Sequence, residues 1–160
     1  MSNAKVLDAV EGDKEYKKAF QLAKDSLERF ESFWKDPYEG ERNFMFKVRF
    51  QGERRPVYIW LDLEEIQENS YLGHAFEVPA ELPQVREDVN YNVDKKDVYD
   101  WMVNDKGKVY GGFTLLVERR KMSKPQKEDF DYQLMAKEWI DENTHNKEVN
   151  LIKKLLRRLF

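Results

Sequence analysis

The chain has 160 residues and is 37% charged, yet its 28 basic and 31 acidic side chains leave a net charge of only −3. That balance describes a solvated surface rather than a polyanion binder, so nucleic acid is not an expected partner. The absence of cysteine excludes disulfides, thiol nucleophiles and thiolate zinc sites.

In chain order, residues 13–35 carry Tyr16, Phe20, Ala23, Leu27, Phe30 and Trp34 at three- or four-residue steps. This spacing predicts one amphipathic helix, capped by Asp13 and stopped at Asp36-Pro37. Strand alternation begins at Phe44 and runs to Phe50, with Lys47 and Arg49 facing away from the aromatic side. A turn at Gln51–Arg54 leads to a strand over Val57–Leu63. There Val57, Ile59, Leu61 and Leu63 share one face, and Tyr58, Trp60 and Asp62 share the other. Further strands are expected at Tyr71–Val78, Val89–Val93, Asp100–Val103 and Lys108–Arg119, with Asn104–Gly107 as the clearest turn. Ser123-Lys124-Pro125 opens a helix expected to reach about Asp141. A break follows at Asn143–Asn146, and Asn146 is expected to cap a last helix striped by Val149, Ile152, Leu155, Leu156 and Leu159.

These elements predict an α+β fold: an N-terminal helix, a strongly bent and barrel-like antiparallel sheet of five to six strands, and two C-terminal helices. Residues 1–122 form the helix-and-sheet domain, and residues 123–160 a helical extension packed on it. Met1–Gly12 has no apolar signal-peptide core, and no apolar run reaches membrane-spanning length. A cytoplasmic protein is therefore expected.

The chemistry offered by these residues is sparse. The two histidines, His74 and His145, have no zinc-site spacing around them, and no metal or cofactor is expected. The spacing of Gly107, Gly111 and Gly112 matches no phosphate loop, with no helix expected directly after them. No catalytic residue set stands out. A face containing Tyr58, Trp60, Asp100 and Trp101 is the expected binding surface, with Arg54 and Arg55 nearby. The rival is a small hydrolase or lyase using Asp100 with His74 or Tyr58. The last helix sets Lys153, Lys154, Arg157 and Arg158 beside its Leu/Ile stripe. Packing on its own domain is the first expectation for it, and a partner groove or an anionic membrane surface the alternative.

Four segments read together as a signature, the spacing from Asp100 to Thr114 being its most specific part. Lys47-Val48-Arg49-Phe50, Ile59-Trp60-Leu61, Val98–Met102 and Gly107–Thr114, in that order, resemble the YegJ-like bacterial domain of unknown function 2314 over roughly Phe20–Met122. The resemblance implies a small bacterial α+β domain and brings no activity, substrate or catalytic residue. In that family a Glu-His pair usually precedes the Ile/Met-Trp, where this chain has Val57-Tyr58. A Gly-Asp turn usually precedes Asp-Trp-Met, where it has Glu87-Asp88. The leading expectation is thus a non-catalytic binding or protein-interaction domain, an immunity-type protein being one form of it.

Overall fold

The computed structural model describes residues 13–37 and 40–159, with the side chains of 142–149 excepted. Met1–Gly12 and part of the expected connection at 38–43 lie outside the described residues, as do the side chains of His145, Asn146 and Val149.

The fold is α+β. Two helices, α1 (Lys14–Asp25) and α2 (Leu27–Lys35), precede strands β1 (Arg42–Gln51), β2 (Pro56–Ile66), β3 (Ser70–Ala75) and β4 (Asn90–Asp94). A short 3-10 turn, Lys95–Asp97, leads to β5 (Val98–Asp105) and β6 (Lys108–Gly111). Then come α3 (Phe113–Arg120), α4 (Lys124–Gln133), β7 (Glu138–Trp139) and α5 (Glu142–Leu159). The strands form one sheet in the order β4-β3-β2-β1-β5-β6-β7, antiparallel throughout except for the parallel β6–β7 pair. It is open, with β4 and β7 at its ends, so the expected barrel-like closure is not formed.

The register explains the burial. Phe46 stands opposite Leu61 on one side and Trp101 on the other, and Val48 stands opposite Ile59. These side chains make one face of the sheet and the larger core, where Phe30 of α2 stacks on Trp101 and meets Tyr71 edge-on. The opposite face carries Met45, Trp60 and Met102. They pack with Val109, Leu115, Phe130, Leu134 and Trp139 in a second, smaller cluster.

Several sequence expectations are corrected. The single helix over 13–35 is two helices, broken at Ser26. The Ser26 hydroxyl donates to the Leu22 carbonyl (2.7 Å) and accepts the Trp101 indole N–H (2.9 Å), and this back-bonding bends the chain. The strand expected over Lys108–Arg119 stops at Gly111, and its second half is α3. The helix expected to run to Asp141 ends at Gln133. There the Asn104 side-chain amide donates to the Leu134 carbonyl (2.9 Å), and Met135 adopts a positive φ of 54°. The break expected at Asn143–Asn146 is absent, because α5 begins at Glu142 and runs through it.

Candidate functional site

The Asp-Trp-Met and Gly-Gly-Phe-Thr segments meet in the interior. Strand alternation sends Trp101 into the larger core and Asp100 to the other face, opposite Lys47 of β1. Gly111 and Gly112 both take left-handed backbone angles (φ 72° and 64°), which turn the chain out of β6 and straight into α3. The first amides of α3 then point at Asp100. Its Oδ1 accepts from the N–H groups of Trp101 (2.8 Å) and Phe113 (3.2 Å), and its Oδ2 from the Thr114 N–H (2.8 Å) and hydroxyl (2.5 Å). A carboxylate from the sheet thus serves a helix N-terminus, where unpaired amides and the helix dipole both favour a negative charge.

Lys47 completes this centre. Its Nζ donates to Thr114 Oγ1 (2.8 Å) and lies 5.1 Å from the centre of the Trp60 ring. Asp100, Thr114 and Lys47 are all buried. Burial pushes the Asp100 carboxyl up, against the pull of Lys47, Thr114 and the amides. Burial pushes the Lys47 ammonium down, against the pull of Asp100. Three of the four groups on Asp100 are backbone amides that can only donate, so the pocket is built for the ionised carboxylate. Its acceptor positions are filled from within the chain, and the arrangement holds the sheet to α3.

The four residues expected on one binding face are not brought to one accessible surface. Asp100 and Trp101 are fully buried, at 0% exposure, and point to opposite sides of the sheet. Tyr58 and Trp60 are half-buried. Phe20 of α1 stacks on Tyr58 at 5.6 Å, and Tyr99 meets it edge-on at 5.2 Å. Trp60 packs in the second cluster beside Lys47. Of the neighbouring arginines, Arg55 pairs with Glu81 (2.7 Å) at the wall of a cavity of about 410 Å³. That cavity is lined, among the described residues, by Gly52, Glu53, Arg54, Arg55, Ala80 and Glu81, and so includes neither aromatic.

The catalytic pairing of His74 with Asp100 also fails on distance. β3 and β5 are separated by β2 and β1, three strand spacings or about 14 Å. His74 instead lies between Asp62 (Nε2 to Oδ2, 3.5 Å) and Glu64 (Nδ1 to Oε1, 2.8 Å), all partly exposed. Burial raises the Asp62 pKa, His74 pulls it back and Glu64 adds to the rise. Among the described residues no group of three or more histidines and acids is placed to hold a metal.

The C-terminal helix presents the contrasting surface. Every described side chain from Asn150 to Leu159 is exposed, including Leu151 at 58%, Ile152 at 55%, Leu155 and Leu156 at 49% each and Leu159 at 75%. The expectation that this stripe is covered by its own domain does not match that exposure. The four basic residues Lys153, Lys154, Arg157 and Arg158 fill the other side, and no acid stands between Asn150 and Leu159. No helix among the described residues is long and apolar enough to cross a membrane.

The family model described as an uncharacterized protein conserved in bacteria, DUF2314, matches residues 13–135. The chain belongs to the DUF2314 family. The match runs beyond the Phe20–Met122 stretch that carries the resemblance, taking in the start of α1 and the whole of α4. The Asp100–Thr114 centre is thus inside the DUF2314 region, and α5 is outside it. No curated protein and no solved structure matches the chain. Lys47 and Ser26 are the site residues that sequence reading missed. Lys47 alternates with aromatics in a strand, which reads as solvent-facing, and here it is buried; Ser26 lies inside a stretch that reads as one continuous helix.

Proposed function

We propose that this DUF2314 protein is a non-catalytic interaction domain whose docking element is α5. The observation that carries the reading is the exposed stripe Leu151, Ile152, Leu155, Leu156 and Leu159. Five large aliphatic side chains in one uninterrupted patch are unusual on a monomer surface and mark interaction sites. The interior supports the same reading from the other side. The signature carboxylate is saturated by four internal donors; of the two partners expected for it, His74 lies across the sheet and Tyr58 packs against Phe20 and Tyr99. On this account the body is a rigid base and α5 is the part that meets a partner.

The test is substitution inside the stripe of the full chain. Leu155→Asp combined with Leu156→Asp leaves the thermal midpoint within about 4 °C of wild type if the stripe faces solvent, because each exposed substitution changes stability by only about 0.5 kcal/mol. A fall of about 8 °C or more would place the stripe in the core and remove the docking element.

A further inference from the structure

Resting on that reading of α5, we propose that its partner is an anionic lipid surface, on which the helix lies in the plane of the interface. At about 100° per residue, Leu151, Leu155, Leu159, Ile152 and Leu156 cover an arc of about 140°, wider than the narrow seam of a two-stranded coiled coil. Lys153 and Arg158 flank that arc, one on each side, and Lys154 and Arg157 fill the ground between them. Long basic side chains in the flanking positions can lay their aliphatic stems along an apolar surface and raise their charged ends to the phosphate level.

Charge selects among the occupants. Asn150–Leu159 carries four basic and no acidic side chains; α5 as a whole, with Glu142, Lys147 and Glu148, is +3, and the remainder of the chain carries −6. Two copies of α5 laid face to face would oppose like charges along their flanks, so a helix pair is disfavoured. An anionic bilayer matches the +4 face and repels the acidic body, so the helix is left as the point of attachment. The face is aliphatic throughout, Leu and Ile with no aromatic anchor between Asn150 and Leu159. That suits a fluid hydrocarbon boundary better than a shaped protein pocket, where aromatic anchors dominate. No described helix is long and apolar enough to cross the bilayer, so spanning is not the mode.

The experiment is flotation of the full chain with vesicles of phosphatidylcholine alone and of phosphatidylcholine with about one-third phosphatidylglycerol, at low and high salt. Expected are binding to the anionic vesicles, weak or no binding to the neutral ones, and a fall in binding as salt is raised from about 0.05 to 0.5 M. Lys154→Glu with Arg157→Glu should weaken anionic-vesicle binding at least about tenfold, and Leu155→Asp with Leu156→Asp should abolish it. Absence of binding to anionic vesicles at low salt overturns the lipid proposal. If the aspartate pair still melts like wild type, the docking reading survives and an acidic protein groove becomes the occupant. A concentration-dependent dimer lost in the aspartate pair also overturns the proposal, in favour of a second copy. If the aspartate pair instead melts well below wild type, the docking reading fails with it.

Discussion

Replacing Asp100 by Asn tests the structural reading of the signature most severely, because shape is kept and only charge and acceptor capacity change. The carboxylate accepts at both oxygens: Trp101 and Phe113 amides on Oδ1, Thr114 amide and hydroxyl on Oδ2. An amide side chain accepts at one end only. Whichever way it is turned, its NH2 faces at least one backbone N–H and leaves it buried and unpaired, which costs about 1–3 kcal/mol. Lys47, buried and held through Thr114, also loses its counter-charge, and breaking a buried pair costs about 3–5 kcal/mol. The two losses overlap, so the expected destabilisation is about 4 kcal/mol. At about 2–4 °C per kcal/mol this is a fall of roughly 8–16 °C in the thermal midpoint, read by circular dichroism at pH 7. In a double-mutant cycle, Lys47→Met with Asp100→Asn should cost clearly less than the two single changes added together, because the second change removes a charge already stranded. A midpoint within about 2 °C of wild type for Asp100→Asn would refute the claim that this carboxylate ties the sheet to α3.

Gly111→Ala should destabilise by about 3 kcal/mol in the same melt, since φ is +72° there and the added carbon would lie 2.6 Å from the Trp101 ring. A neutral result would mean the strand-to-helix turn can relax without disturbing Trp101. Asp131 binds Arg119 through two 2.8 Å bonds and accepts the Trp139 indole N–H at 2.9 Å, joining α3, α4 and β7. The Arg119 hydrogen bonds hold its carboxyl below the usual aspartate range. The folded pKa is therefore lower than the unfolded one, so the stabilisation is present above the ordinary aspartate value and is lost as pH falls through the folded value. Asp131→Asn should cost about 1–2 kcal/mol near pH 7, and its deficit against wild type should shrink in strong acid. A deficit independent of pH would argue against an ionic role.

The strand segments were legible because one face of the sheet belongs to the larger core. Phe44–Phe50 and Val57–Leu63 alternate as they do because each second residue joins the larger core, and a slip of one residue would turn Lys47 and Arg49 into that core. The stretch Phe113–Arg120 was misread for an equally physical reason. Phe113, Leu115 and Val117 alternate like a strand, and only the tertiary capping by Asp100, thirteen and fourteen residues away, makes a helix begin there. The Gly-Gly pair was the available signal, since two left-handed residues end a strand. The buried role of Lys47 was not legible, because its neighbours Thr114 and Asp100 are distant in sequence and its position in the pattern looks wet. Most of the apolar stripe of α5 was legible: Ile152, Leu155, Leu156 and Leu159 stand in it as expected, Leu151 joins it unexpectedly, and Val149 lies outside the described side chains. What the sequence lacked was whether the domain had a surface to cover it.

The most direct measurement is the thermal melt of a chain ending at Asp141 beside that of the full chain. If α5 is a docking element carried by an independent body, the two midpoints agree within about 2 °C, as the exposure of the Asn150–Leu159 side chains leads one to expect. A shortened chain that melts several degrees lower, or fails to fold, would make α5 part of the core and contradict the account.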